Sequence, residues 1–193
     1  MTKTILSLFD YTGNFSKPYR DAGYNVIQVD LRHGQDIMDF DYKNIGEVYG
    51  IIAQPPCTDY AISGARWFKA KDKDGRTAKS QILVKRLHEI IEYHKPTLKF
   101  WVVENPMTRI HKLNTWLGKV KLRFQPYDYA GYSDHNDCYS KQTWLFGEFN
   151  IPKKKRHCNI VDTKKIHHAS SKVRKFIATF SRGFGIAFFK ANP

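Results

Sequence analysis

An apolar run that stops at two consecutive prolines constrains the fold of this chain more than any other stretch. Residues 48–53 have the apolar character of a buried strand, and Pro55 and Pro56 cannot continue a central strand. Cys57 is therefore predicted to lie on a stiff loop just beyond a strand end. Ligands of open α/β sheets bind at this edge, so the thiol is well placed for chemistry. An isolated free cysteine is more often a small buried hydrophobe, and the neighbouring motifs must decide between the two interpretations.

The residues upstream of this run predict the first half of a nucleotide-binding α/β fold. Two β-rich runs, residues 4–9 and 25–30, flank a turn at Gly13 and a short helix. The second run ends in Asp30, at the place where an acid can bind two ribose hydroxyls, although such an acid is also common in ordinary turns. The loop at residues 36–37 is expected either to border the same pocket or to be a solvated acidic loop.

Downstream, a second strand end is expected to place an acid near Cys57. Residues 79–93 show the helical spacing of apolar side chains, and residues 99–103 form a further apolar run that leads into Glu104 in a polar loop. If the strands are parallel, Cys57 and Glu104 lie on the same edge of the sheet. Burial would raise the pKa of Glu104 and make it a proton donor near neutral pH. The alternative is a carboxylate that caps a helix starting near Thr108.

The charge of the chain points to a polyanionic partner. Lys and Arg number 32 against 18 Asp and Glu, a formal net charge of +14, which favours nucleic acid first and an anionic membrane second. Residues 63–76 are predicted to form a mobile loop beside Cys57, in which cations suit phosphates and aromatic rings suit bases. Residues 71–74, taken alone, are interpreted as a solvated lysine-rich loop, and the basic run near residue 154 fits a solvated face or a phosphate contact. The candidate nucleic-acid contacts are Arg66, Trp67, Lys69, Lys141, Lys153, Lys154 and Arg156.

Length and cysteine content favour one intracellular domain. The 193 residues are enough for a single well-cored unit, residues 1–193, and no stretch approaches the roughly 20 apolar residues of a membrane span. The N-terminus shows no signal-peptide pattern, so we expect a soluble cytoplasmic protein. Three cysteines argue against a disulfide framework. Cys138 and Cys158, together with His135 and His157, fit no paired zinc pattern, so no metal is expected.

Taken in order along the chain, these motifs resemble those of the C5-cytosine-specific DNA methyltransferases. The matching elements are residues 9–13 after the first strand, Asp30 after the second, then Asp36-Ile37, Pro55-Pro56-Cys57 and Glu104-Asn105. The resemblance covers most of residues 4–147 and extends to small phage-type proteins, which would place this protein in the cytoplasm of a host cell. It implies a Rossmann-like methyltransferase fold, an α/β fold with a mostly parallel central sheet flanked by helices.

The resemblance also implies a cofactor, S-adenosylmethionine, and roles for individual residues. The cofactor would lie against Phe9, Gly13, Asp30, Asp36 and Ile37. Cys57 would be the nucleophile and Glu104 would grip the target cytosine, so that a thiolate at C6 and an acid at N3 activate C5 for methyl transfer. The target would be a flipped cytosine in duplex DNA or one presented in a single strand, and no obligate protein partner is expected.

Three features depart from the pattern of that family. Tyr11 stands where the first glycine of the donor loop is usual, and Lys141-Gln142-Thr143 stands where two arginines separated by one residue are usual. Only residues 148–166 are present where the family inserts a separate target-recognition domain. The resemblance therefore implies DNA cytosine methylation with relaxed sequence specificity. The alternatives are modification of a free pyrimidine nucleotide or of RNA, and a catalytically inactive nucleic-acid-binding relative.

Overall fold

The structure, a computed structural model, describes residues 2–134, 137–158 and 179–193. Its centre is one six-stranded sheet. The strands are β1 (Thr4–Leu8), β2 (Asn25–Val29), β3 (Gly50–Ala53), β4 (Phe100–Pro106), β5 (Leu122–Phe124) and β6 (Thr143–Glu148). Their order across the sheet is β2-β1-β3-β4-β6-β5, which places β1 between the two strands that follow it in the chain.

Helices cover both faces of the sheet. They are α1 (Lys17–Asp21), α2 (Phe68–Lys73), α3 (Arg76–His94), α4 (Ile110–Leu113) and α5 (Arg182–Ala191). Leu87 of α3 belongs to the same buried cluster as Ile51, whereas Phe188 of α5 belongs to the cluster of Ile52. Because successive strand residues point to opposite faces, the two isoleucines serve separate cores. The predicted α/β class is confirmed.

The sheet is mixed, and the prediction of a mostly parallel sheet is wrong. The pairs β1–β2, β1–β3 and β3–β4 are parallel, whereas β6 runs antiparallel to both β4 and β5. Gly147 permits this close antiparallel pairing, because a Cβ atom there would lie 2.2 Å from the carbonyl oxygen of Trp101. Its φ of 122° is also unfavourable for residues with a side chain. The apolar pattern of β6 identifies a strand but does not encode its direction.

Glu104 lies inside β4 rather than in a loop beyond it. Pairing with β6 continues past Val103, so that Glu104 stands opposite Leu145 and Pro106 stands opposite Thr143. Pro106 has no amide hydrogen to donate, and it is the last residue of the strand. The helix-cap interpretation of Glu104 is also wrong, since α4 begins only after Arg109 and has no side-chain cap.

The segment predicted as a mobile loop is helical. A 3-10 helix over Ile62–Trp67 leads directly into α2. The guanidinium of Arg109 lies 3.7 Å from the centre of the Phe68 ring and binds the Asp72 carboxylate at 2.7 and 2.9 Å. These contacts join residues about forty positions apart, so the local sequence pattern does not reveal them.

Cysteine pairing also differs from the sequence expectation. Cys138 and Cys158 form a disulfide, whereas Cys57 is a free thiol. The argument against disulfides is therefore wrong for this pair, which a count of three cysteines cannot identify without knowing which of them meet. None of the described helices combines the length and the apolar character needed to cross a bilayer.

Candidate functional site

A cavity of about 980 Å³ opens at the carboxyl ends of β1, β2 and β3 and reaches Glu104 in β4. The chain leaves β1 for β2 on one side and later returns to form β3 on the other. Ligands of open α/β sheets bind at such a reversal of strand order, and the volume is at the upper end of the range for cofactor sites. The cavity brings together most of the residues singled out from the sequence, namely Phe9, Asp30, Asp36, Ile37, Cys57, Glu104 and Lys141.

The loop after β1 forms one wall and folds around a buried acid, Asp10. This carboxylate accepts hydrogen bonds from four donors: Ser7 Oγ at 2.7 Å, the Gly13 amide at 2.8 Å, Ser16 Oγ at 3.3 Å and Thr12 Oγ1 at 3.4 Å. Gly13 is buried with a φ of 65°, a conformation that closes the turn, and it is not among the residues that line the cavity. Phe9 has a φ of 57°, a conformation that costs on the order of 1–3 kcal/mol in a non-glycine residue and that clusters at ligand sites.

The segment after β2 forms the adjoining part of this wall. The Asp30 carboxylate accepts a hydrogen bond from the Arg32 amide, and the Asp36 carboxylate accepts one from the Met38 amide, both at 2.9 Å. These bonds fix the two acids at the cavity surface. Arg86 of α3 holds the segment from behind by donating to three carbonyl oxygens, those of Ile37, Met38 and Phe40, at 3.1–3.2 Å.

Cys57, Glu104 and Lys141 lie on the opposite wall. Glu104 is 8% exposed, and its Oε1 atom has no hydrogen-bond partner within the described part of the chain. Buried polar atoms are nearly always paired, so this oxygen marks a place where a ligand can bind. Burial raises the pKa of Glu104, and the charge of Lys141 opposes the shift only in part. Burial also raises the pKa of the half-buried Cys57 thiol, the charge of Glu104 raises it further, and Lys141 lowers it.

Two cations from separate elements anchor the residues that follow Cys57. The ammonium of Lys71 lies 3.1 Å from the Asp59 carboxylate and also donates to the Thr58 carbonyl. Arg109 donates from Nε and Nη2 to the Asp59 carbonyl, each at 3.2 Å. Lys71 is buried, so the interpretation of residues 71–74 as a solvated loop is wrong for this side chain. These contacts therefore hold the loop that carries the Cys57 thiol in place.

The predicted nucleic-acid contacts fall into separate groups. One group is exposed on the segment that follows the Cys57 loop and consists of Arg66, Trp67 and Lys69. Lys141 lines the cavity itself. Lys153 is exposed, whereas Lys154 and Arg156 form ion pairs with the buried Asp128 carboxylate at 3.1 and 2.6 Å. These last two cations stabilise the fold as well as carrying surface charge.

Four residues of the site were not identified from the sequence: Asp10, Gln54, Lys71 and Arg109. Gln54 lines the cavity directly after β3, and its Nε2 atom is buried without a partner among the described residues. Its place between an apolar run and Pro55 was a usable signal, because a polar side chain at a strand end faces the ligand edge. The other three carried no such signal, since their roles depend on contacts between distant segments.

Among the described residues, no group of three or more His, Cys, Asp or Glu side chains is arranged to hold a metal ion. His135, considered above as a metal ligand, lies outside the described residues. No protein-family model matches the chain, and no curated protein matches it.

Proposed function

We propose that the protein transfers a methyl group from S-adenosylmethionine to C5 of cytosine in DNA. The observation that supports this is one cavity with Cys57 and Glu104 on one wall and Asp30 beside the strained Phe9 on the other. A methyl donor and a base would then meet across the reversal of strand order. We also infer that the mixed sheet is a variant of the Rossmann-like methyltransferase fold, because its cavity lies where the strand order reverses, which is the ligand site of such folds.

The wall formed after β1 and β2 suits S-adenosylmethionine. When bound, this cofactor supplies an electrophilic methyl group on a sulfonium. Asp30 and Asp36 both line the cavity; the Asp30 carboxylate would accept hydrogen bonds from ribose hydroxyls, and the Asp36 carboxylate would accept one from an adenine amino group. Ile37 is buried beside Asp36 and offers an apolar surface to the purine ring. The strained backbone at Phe9 would be maintained by the packed Asp10 turn.

The opposite wall suits a cytosine. The Cys57 thiolate would add to C6, and Glu104 in its neutral form would donate a hydrogen bond to N3. Because the negative charge of Glu104 raises the pKa of Cys57, a neutral Glu104 makes the thiolate easier to form. C5 would then accept the methyl group as its bond to the sulfonium sulfur breaks and leaves a thioether, after which water takes the C5 proton and the bond between the Cys57 sulfur and C6 breaks. This last step restores the Cys57 thiolate and releases the product.

The mass spectrum of treated substrates tests this function. DNA, RNA and free nucleotides are each incubated with the protein and S-adenosylmethionine and then digested to nucleosides. We expect 5-methylcytosine from DNA oligonucleotides of many different sequence contexts, and none when Cys57→Ser replaces the parent, although calorimetry should show cofactor binding close to normal. Faster methylation of dCMP, dCTP or RNA would move the function to one of those substrates. Absence of any modified base would identify an inactive binding protein.

A further inference from the structure

A group of exposed apolar side chains lies beside the cavity wall that contains Cys57 and Glu104. The Ile62 amide donates to the Met107 carbonyl at 2.9 Å, and Met107 directly follows Pro106, which lines the cavity. The Ala61 amide donates to the Cys57 carbonyl at 2.8 Å, so this surface begins a few residues from the thiol. We name the side chains of Ile62, Trp67 and Met107 the apolar platform.

All three side chains of the platform are exposed to solvent. Ile62 and Met107 are each 38% exposed, and Trp67 is 53% exposed. Single exposed hydrophobes are ordinary, but a large ring and two long aliphatic chains beside a ligand cavity mark a surface that meets a partner. The platform is also fixed in place, because Arg109 stacks on Phe68 at the end of the same helical segment.

Charges beside the platform favour a nucleic acid strand as that partner. The Arg66 guanidinium lies 5.2 Å from the centre of the Trp67 ring, Lys69 is exposed on the next turn, and Lys141 lines the cavity. Cations that alternate with apolar surfaces bind phosphates and bases together.

We propose that the apolar platform stacks the unpaired bases next to the target, so that the substrate is single-stranded DNA. The proposal rests on the proposed function only in placing a cytosine in the cavity. A duplex presents phosphates and base edges, and it would cover the platform only after a base step is unstacked at a cost of a few kcal/mol. A single strand presents base faces directly.

Fluorescence of a base analogue tests the platform without methyl transfer. A single strand of about 12 nucleotides, within the usual site size of such grooves, carries 2-aminopurine next to a cytosine and is titrated with protein in the absence of cofactor. We expect quenching of the analogue on binding. Trp67→Ala should weaken binding by about 5- to 150-fold, the range measured for losing one stacked base, and Ile62→Ala with Met107→Ala should reduce the quenching.

Ile151→Ala is the matched control. Ile151 is 56% exposed, at least as much as any side chain of the platform, and follows β6, whose end pairs with Trp101 near the start of β4, at the sheet edge opposite the cavity. Its replacement should leave affinity and quenching unchanged, and melting curves should show all variants folded. Parent-like binding by the platform variants, tighter binding to the matched duplex, or no binding to DNA would overturn the proposal. Stacking without methyl transfer would refute the proposed function alone, and methyl transfer that ignores the platform variants would refute the platform alone.

Discussion

Replacement of Lys71 by methionine should destabilise the protein by about 3 kcal/mol. The Lys71 ammonium and the Asp59 carboxylate are buried and lie 3.1 Å apart. Removing one member of a buried pair costs about 3–5 kcal/mol, because the other charge stays buried without compensation. The lower end applies here, since Ser80 Oγ still donates to Asp59 at 2.5 Å. For a chain of this length each kcal/mol lowers Tm by about 2–4 °C, so Tm should fall by about 6–12 °C.

The loss should depend on pH in a defined direction. Burial pulls the pKa of Asp59 upward, but the Ser80 hydroxyl and the Lys71 charge outweigh burial and hold it below its usual value. A carboxyl group with a lowered pKa in the folded state stabilises the fold above its unfolded pKa of about 3.9, and that contribution disappears as pH falls through the folded value. The difference between the parent and Lys71→Met should therefore be full at pH 7 and shrink below about pH 4.

Urea unfolding followed by circular dichroism measures this effect. Lys73→Met is the matched control, because Lys73 lies on the same helix and is exposed, and it should change the free energy of unfolding by less than about 0.5 kcal/mol. A double-mutant cycle with Asp59→Asn isolates the interaction between the two side chains. A coupling energy below about 0.5 kcal/mol, or equal losses in the Lys71 and Lys73 variants, would refute the assignment of Lys71 as the anchor of the Cys57 loop.

Three further predictions follow from the cavity walls. Alkylation of Cys57 by iodoacetamide should rise with pH to a midpoint above the usual thiol value of about 8.5, and Glu104→Gln should lower that midpoint; an unchanged midpoint would contradict the coupling. Asp30→Ala should weaken S-adenosylmethionine binding by about 1–3 kcal/mol in calorimetry, whereas Asp39→Ala, at an exposed position, should leave it unchanged. Equal affinities of the two variants would show that Asp30 does not contact the cofactor. Arg109→Lys should speed proteolysis within the adjoining helical segment, because a lysine cannot make the several hydrogen bonds of the guanidinium to Asp59 and Asp72. A digestion rate like that of the parent would show that Arg109 does not hold this segment in place.

The backbone plan of the first part of the chain, from β1 to β3, was readable from the sequence because its signals are local. An apolar run, a turn glycine and a short helix follow one another, and the structure has β1, α1 and β2 at those places. Pro55 and Pro56 likewise mark the end of β3 through their missing amide hydrogens. Residues at such strand ends meet at one edge by geometry alone, which is why Asp30, Cys57 and Glu104 line one cavity.

What the sequence did not reveal depends on contacts between distant segments. From the sequence alone, Lys71 and Arg109 resemble surface cations, whereas in the structure both of them contact Asp59. The same contacts hold residues 63–76, which the sequence predicts to be a mobile loop, in a helical conformation. The direction of β6 depends on how closely Gly147 approaches Trp101, and the disulfide depends on Cys138 meeting Cys158. None of these pairs has a signature within one sequence window.

Covalent trapping of the target base tests the central claim most directly. Single-stranded DNA with 5-fluorocytosine is incubated with the protein and S-adenosylmethionine, and the complex is digested and sequenced by mass spectrometry. Fluorine at C5 prevents the final elimination, so the bond between sulfur and C6 should persist and map to Cys57. Cys57→Ser should give no complex, whereas Lys73→Met should give as much as the parent. A parent protein that methylates cytosine without forming this adduct, or an adduct on another residue, would contradict the assignment of Cys57 as the nucleophile.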